Sequence, residues 1–225
     1  SIEGEYESFQ DPNEEINERI TGITGITNEM VNGKEINWET VNSHIINADL
    51  VLASNVFAHS DELKIMAGCM LKLIKNNGTI IIEVQYLFNT LKDLTFDNIY
   101  HEHYNYWSLT SLITFFNQFK AKIYKAEKIN THGGSLRIYV KKDKKTKIEK
   151  NVKLLLKEEE KFGIKNYQTY VNFAQKVYKI RDNVRKNIVK LKQNNIKVIG
   201  YGSPAKATTS LNFFGISNEL EFIVE

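Results

Sequence analysis

Two short stretches of this chain bring together histidines, a glutamate and tyrosines that could carry out acid–base chemistry. The first is Tyr100-His101-Glu102-His103, and the second is His132-Gly133-Gly134-Ser135-Leu136-Arg137. Imidazole titrates near neutral pH, and neighbouring carboxylates and aromatic surfaces tune its pKa, so this combination suits proton transfer. The same residue types also fill cores and subunit contacts, and composition alone leaves that alternative open.

The rest of the composition excludes several classes of site. No histidine or cysteine belongs to a CxxC or HExxH pattern, so we predict no metal site. The net charge of +3 comes mainly from lysines such as those of residues 141–145, which indicate a solvated linker and not a nucleic-acid surface. A single cysteine, Cys69, and no membrane-length apolar run predict a cytoplasmic protein that binds neither nucleic acid nor membrane.

The elements that must position these groups follow an α/β pattern from Ala48 onwards. Residues 48–53 form a short apolar run typical of a buried parallel strand, and residues 61–75 have helical spacing with Ser60 as the expected N-cap. Residues 76–78 are expected to end that helix, and residues 79–84 to form the next strand.

Further along, residues 109–119 are predicted to form a helix capped by Ser108, and residues 121–127 and 135–141 an antiparallel pair. Residues 151–194 form a lysine-rich helical stretch with a one-sided apolar stripe and a predicted break near Phe162-Gly163. A strand at residues 197–199 and a following helix complete the pattern.

Gly200, Gly202 and Ala205 form a GxGxxA pattern between that strand and helix. Such a turn lets the backbone approach a pyrophosphate, and Glu225 lies where the ribose-binding acid of a dinucleotide fold would stand. The pattern therefore keeps open an NAD-binding protein as a lesser alternative.

Four stretches occur in one order along the chain: residues 55–59, 100–104, 132–137 and 200–206. Together they resemble the sugar C-methyltransferases, which use S-adenosylmethionine to methylate a carbon of a nucleotide-linked keto-deoxysugar. The resemblance covers residues 49–225. It implies a partial Rossmann-type class I methyltransferase sheet over residues 49–145, followed over residues 146–225 by a truncated C-terminal domain, helical and Rossmann-like.

The resemblance also implies roles for individual residues. His103 would be the base that removes a proton beside the ketone, and Glu102 would orient it or contact the sugar. Tyr100 would donate a hydrogen bond to the developing oxyanion, with His59 as a second polar contact at the end of a strand. Without the resemblance, His59 could simply begin a helix. His101 would point away from Glu102 in an extended segment, so we expect a structural role for it.

Other positions are expected to hold substrate and cofactor. His132 and Arg137 would line the sugar-nucleotide cleft, with Arg137 pairing to phosphate. The remaining candidates are Gly200 and Gly202 as a scaffold or phosphate contact, Lys206 as an anion partner, and Asn55 on the later wall of the S-adenosylmethionine site. Residues before Ala48 do not supply the family's zinc module or its glycine-rich cofactor turn, so a non-catalytic remnant or a nucleotide-sugar-binding module is the alternative to an active enzyme.

Residues 1–48 have a different character. Residues 9–12 and 24–31 resemble the middle of a DEDD-type 3′–5′ exonuclease, but residues 53–58 lack that family's metal-binding histidine and aspartate, so we expect no exonuclease activity. Residues 11–16 are expected to form a turn into a short helix, with Pro12 at its first position. Half a parallel sheet would also expose an edge, which predicts a homo-oligomer or a partner that supplies the missing strands.

Overall fold

The computed structural model describes residues 12, 14–35, 47–131, 133–143 and 145–224. Contacts divide the chain into two compact units, Ser1–Ala48 and Asp49–Glu225. His132 and Glu225 lie outside the described residues, so the predictions made for their side chains stay predictions. The finer division of the chain into three parts also stays a prediction.

Within its described residues the first unit has two short helices, α1 (Glu18–Thr24) and α2 (Asn28–Val31). The Asn17 side chain accepts from the Ile20 amide at the start of α1, and the left-handed Gly25 ends it. The helix therefore begins after Pro12 and its neighbours, later than the sequence predicted. An amide side chain that caps locally, Asn17, decides this start. The exonuclease resemblance of residues 1–48 stays a prediction.

The second unit is built on a four-stranded sheet with the order β1-β2-β4-β3. The strands are β1 (Ala48–Ser54), β2 (Ile74–Gln85), β3 (Lys122–Ile129) and β4 (Ser135–Lys141). Lys75 pairs with Asp49 at 2.8 Å near the start of β2 and β1, and the Asn55 amide bonds the Glu83 carbonyl at 2.9 Å near their ends. Strands β1 and β2 therefore run in the same direction.

Strand β4 pairs antiparallel with both β2 and β3, so the sheet is mixed. This confirms the antiparallel pair predicted near the end of the sheet, and the α/β class with it. Alternate residues of the central strands, such as Ile80, Ile82 and Val84, are fully buried. Each contributes roughly 1.5–3 kcal/mol by leaving water, so this alternation fixes which face of the sheet meets the helices.

Among the described strands, β1 lies at the edge of the sheet. Leu50 and Leu52 point away from the core and are 54% and 66% exposed, whereas Ala53 is buried. The predicted strand is confirmed, but its predicted burial is wrong, since Ala53 alone of β1 is buried. An edge position explains this, because no described strand lies beyond β1. The oligomer or partner expected to cover it stays a prediction.

Helix α3 (Leu63–Leu73) differs from its prediction at both ends. Glu62, not Ser60, is the N-cap residue, and it makes no side-chain capping bond, so the predicted Ser60 cap is wrong. Ile74 starts β2 at once, and residues 76–78 lie within that strand and not in a turn. Tertiary contacts explain the longer strand, since Lys142 donates to the Ile74 carbonyl at 2.6 Å and Asp49 pairs with Lys75.

Helix α4 (Leu87–Asp93) follows β2, and helix α5 (Leu109–Asn117) packs on the sheet. The Ser108 side chain accepts from the Ser111 amide while the Ser111 hydroxyl accepts from the Ser108 amide, which confirms the predicted cap. The long helical stretch is broken as expected, into α6 (Lys150–Phe162) and α7 (Tyr167–Gln193). Gly163 ends α6 with φ +82°, a conformation that favours glycine.

The last elements are β5 (Gly200–Tyr201), α8 (Ala205–Phe214) and β6 (Ile223–Val224). Strands β5 and β6 pair in parallel. Residues 197–199 are not a strand, so the predicted strand begins later, although the Val198 carbonyl already accepts from Glu221. None of the helices in the described part of the chain combines the length and the apolar character needed to cross a membrane.

Candidate active site

A small pocket of about 140 Å³ lies where strands β1 and β2 end. It is lined by Asn55, Ala58, His59, Val84, Gln85, Tyr100, His103 and Lys206. Ligands of α/β proteins bind at the carboxyl ends of parallel strands, so this is the expected place for a site. Five of the predicted site residues thus meet around one cavity: Asn55, His59, Tyr100, His103 and Lys206.

The loop after β1 brings His59 into the pocket. His59 is the last residue of a 3-10 turn, Phe57–His59, so it does not begin a helix. Asn105 fastens this turn to the following loop, since its amide donates to Ala58 at 3.2 Å and its side chain donates to Ser60 at 2.9 Å. As a result the imidazole ring centroids of His59 and His103 lie 4.8 Å apart.

His103 is partly buried and held by one backbone bond. Its Nδ1 lies 2.8 Å from the carbonyl oxygen of Asn98. A carbonyl can only accept, so Nδ1 carries the hydrogen and Nε2 is left to take up a proton. Burial lowers the pKa of His103 below its ordinary value, the Asn98 bond opposes this, and His59 and Lys206 lower it further. A neutral imidazole is the form that a general base requires.

Tyr100 and Glu102 form a pair of their own beside His103. The Tyr100 hydroxyl donates to Glu102 Oε2 at 2.8 Å, and the Tyr100 ring lies 4.6 Å from that of His103. Burial, followed by Glu102, raises the pKa of Tyr100. Residues 100–103 form a turn in which the His103 amide bonds the Tyr100 carbonyl. The hydrogen bond that orients His103 is thus the one that it donates to the Asn98 carbonyl, whereas Glu102 accepts from Tyr100.

His101 is exposed and touches only the Tyr100 ring, with centroids 5.6 Å apart, among the contacts of the described residues. It lies in a turn, so the extended geometry assumed in the sequence analysis does not apply. His101 does not line the pocket, and the structural role expected for it stays a prediction.

Arg137 lies on β4 opposite Glu83 of β2 and is engaged there. Its Nη2 is 2.9 Å from Glu83 Oε2, and Thr131 donates to the other oxygen of the same carboxylate at 3.0 Å. Arg137 is not among the residues that line the pocket. The phosphate contact predicted for it stays a prediction.

Gly200 and Gly202 of the GxGxxA pattern also have hydrogen-bond partners. The Gly200 and Gly202 amides donate to the carbonyls of Phe222 and Val224 at 2.9 and 2.7 Å. A Cβ on Gly200 would lie 2.9 Å from Ile223, so close packing of β6 explains the glycine there. Neither amide points to a free phosphate site, so the predicted phosphate contact and the NAD alternative gain no support from this turn.

Lys206 follows the same turn as the second residue of α8, and its side chain lines the pocket. Its ammonium group donates to Asn98 Oδ1 and lies 3.4 Å from Asp97 Oδ2. It is also 6.0 Å from the centre of the Tyr100 ring. The C-terminal motif thus supplies a side chain to the pocket, while its glycines serve the strand pair.

Asn98 and Asn105 were missed by the sequence analysis. Asn98 ends a 3-10 turn, Phe96–Asn98, and is 2% exposed. Both asparagines lie near the Tyr100–His103 motif in the sequence, but nothing in their spacing distinguishes them from ordinary loop residues. Their functions depend on carbonyls and amides that only the folded loop brings into place.

The pocket fits only part of a methyl-transfer site. Its volume is well below the roughly 300–1,000 Å³ of sites that enclose a whole small-molecule ligand. It could take the reacting end of a sugar. Among the described residues, the candidate contact for S-adenosylmethionine is Asn55, whose backbone is left-handed with φ +54°. No cluster of three or more His, Cys, Asp or Glu residues that could hold a metal ion occurs within the described residues.

Comparison with known proteins agrees with the motifs. Residues 130–225 match the family model described as the C-methyltransferase C-terminal domain. The chain is also 29% identical over 186 residues to the C-methyltransferase NovU from Streptomyces niveus. That alignment covers 82% of this chain and 44% of the relative, so the chain spans less than half of the relative's length. Residues 130–225 are thus similar to a C-methyltransferase C-terminal domain, and the predicted resemblance to the sugar C-methyltransferases is confirmed.

Proposed function

We propose that this chain is the substrate-side part of an S-adenosylmethionine-dependent C-methyltransferase that acts on a nucleotide-linked keto-deoxysugar. One observation carries the proposal: Asn98 holds His103 through Nδ1 at 2.8 Å inside the pocket at the strand ends. That bond leaves Nε2 as a proton acceptor. A carbon next to a ketone becomes a nucleophile only when such a base removes its proton.

The step assigned to this chain is enolisation. His103 Nε2 takes the proton from the carbon beside the ketone, and the C–H electrons form the new C=C bond. The carbonyl π electrons move to oxygen, which becomes the oxyanion of an enolate. S-adenosylmethionine, when bound, supplies the methyl group that the enolate carbon takes up. In this step the described residues take up the proton and stabilise the oxyanion.

His59 is better placed than Tyr100 to stabilise the oxyanion. The Tyr100 hydroxyl already donates to Glu102, and it has one hydrogen to give. His59 faces His103 across the pocket, with ring centroids 4.8 Å apart. In this assignment Tyr100 and Glu102 contact a sugar hydroxyl.

Deuterium uptake tests this step without methyl transfer. The full chain is incubated in D2O with a nucleotide-linked keto-deoxysugar, and exchange at the carbon beside the ketone is measured by mass spectrometry. We expect catalysed exchange that His103→Gln lowers by roughly 10²–10⁴-fold, the usual contribution of general base catalysis. His101→Gln is the matched control, since His101 is exposed next to the same turn, and it should keep the exchange rate.

The alternative is a nucleotide-sugar-binding module that no longer catalyses. It predicts substrate binding by calorimetry with exchange at the uncatalysed rate in the parent chain. Titration with S-adenosylmethionine then separates two further cases. Micromolar binding would support the complete methyltransferase, and no heat at millimolar ligand would leave only the substrate side of the site.

A further inference from the structure

The C-terminal helix α8 packs on the short turn Phe96–Asn98, whose last residue accepts a hydrogen bond from His103. Phe213 and Phe214 of α8 pack on Phe96 of the Phe96–Asn98 turn, with ring centroids 5.1 and 5.8 Å apart. At the other end of α8, Lys206 donates to Asn98 Oδ1. The same short turn thus receives an aromatic contact and a cationic contact from one helix.

Asn98 has a second bond on its other side. Its side-chain oxygen accepts from Lys206, and its backbone carbonyl accepts from His103 Nδ1 at 2.8 Å. Because Asn98 is 2% exposed, water does not readily replace either partner. A continuous chain of contacts therefore runs from Lys206 through Asn98 to the imidazole.

We propose that Lys206 is the positioning residue of His103: it fixes Asn98, and its charge opposes a second positive charge on the imidazole. The inference rests on the proposed function, in which His103 is the base. It assigns Lys206 a role toward the protein's own residues, in addition to the anion contact that the sequence predicts. The C-terminal domain would then help to set the protonation state of a base that lies more than one hundred residues earlier in the chain.

The groups around His103 agree with this role. His59 faces it from the turn after β1, Lys206 faces it from α8, and Glu102, Tyr100 and Tyr106 lie on its own segment. Burial is the largest cause of its lowered pKa, and among the neighbouring charges His59 and Lys206 lower it while Glu102 raises it. Asp97, 3.4 Å from Lys206, partly offsets the ammonium charge.

The test is an NMR titration of the histidine rings in ¹⁵N-labelled protein, with His103→Gln used to assign the His103 signals. We expect the parent chain to show His103 with hydrogen on Nδ1. In Lys206→Met its titration midpoint should move to higher pH, and Lys206→Arg should restore the parent value. Lys192→Met is the matched control, because Lys192 pairs with Glu221 at 2.9 Å and does not line the pocket.

An unchanged midpoint in a folded Lys206→Met protein, or hydrogen on Nε2 in the parent chain, would overturn the inference. The His101 signals and the circular dichroism spectrum report whether the variant is folded. The outcome is separate from that of the proposed function, since the titration needs no substrate. A shifted midpoint together with no deuterium exchange in the parent chain would uphold the role of Lys206 and reject His103 as a base in turnover.

Discussion

Two of the tyrosine–glutamate pairs among the described residues have the same hydrogen bond and opposite surroundings. Tyr86 donates to Glu159 at 2.8 Å, and Tyr100 donates to Glu102 at 2.8 Å. Glu159 is fully buried, whereas Glu102 is exposed. Glu159 also accepts from the Leu109 and Thr110 amides at 2.6 and 2.9 Å and from the Thr110 hydroxyl.

The difference separates a structural carboxylate from a candidate functional one. Glu159 of α6 binds the first amides of α5 and the tyrosine after β2, so it joins three elements and its oxygens have partners within the fold. Glu102 has one bond from Tyr100 and lies next to the pocket. Burial alone would have pointed to Glu159 as the site, but a carboxylate without spare capacity cannot receive a ligand.

Removing Glu159 should have the largest effect on stability. Glu159→Ala leaves two amides and two hydroxyls without their acceptor inside the core, and each such donor costs about 1–3 kcal/mol. We expect the free energy of unfolding to fall by at least about 3 kcal/mol, measured by urea denaturation. Glu160→Ala is the control on the exposed side of the same helix and should change stability by less than about 0.5 kcal/mol. Equal losses in both variants would contradict the comparison.

Removing one hydroxyl from each pair gives a smaller and sharper contrast. Tyr86→Phe removes a donor to a buried carboxylate and should cost about 1.5–3 kcal/mol, whereas Tyr100→Phe breaks an exposed bond and should cost less than about 1 kcal/mol. Deuterium exchange should show the reverse order, with Tyr100→Phe slower than the parent chain and Tyr86→Phe near the parent rate while folded. A larger stability loss in Tyr100→Phe would reverse the assignment of the two pairs.

The pH dependence of stability should give the smallest effect. The pKa of His103 is lowered below 6.5, mainly by burial, so the unfolded chain binds more protons than the folded chain just below that pH. The contribution of His103 is therefore fully present above pH 6.5 and is lost as the pH falls through its folded pKa. The stability difference between the parent chain and His103→Gln should shrink on acidification, measured by urea denaturation across pH. A difference that stays the same on acidification would contradict this prediction.

Local signals in the sequence predicted most of the elements. Ser108 before an apolar helical run predicts a cap, and Gly163 predicts a helix end, because each acts within a few residues of itself. The ends of α3 were predicted less well. Ser60 suits a cap and Gly78 suits a turn, but contacts with Asp49 and Lys142 extend β2 through that region. Local preference is weaker than strand pairing there.

Five of the residues predicted for the site line the pocket, but the hydrogen bonds that hold them there were not predicted. The motifs named His59, Tyr100, His103 and Lys206, and all four line the pocket. They did not name Asn98, which accepts the hydrogen bond from His103, and they gave Glu102 either an orienting role or a contact with the sugar. Val152, Leu155 and Glu159 share one face of α6, a spacing that could have shown Glu159 as inward-facing. The acidic neighbours Glu158 and Glu160 obscure that signal.

By itself the sequence determined most of the element types, the Ser108 cap, the helix break at Gly163 and the residue types available for proton transfer. These depend on backbone preferences and side-chain periodicity over a few residues. The tertiary structure alone decided that Lys206 meets Asn98, that Asn98 holds His103, and that the glycine amides serve strand β6. Those contacts join residues far apart in the chain, and their geometry follows from strand order and loop packing, which no local pattern encodes.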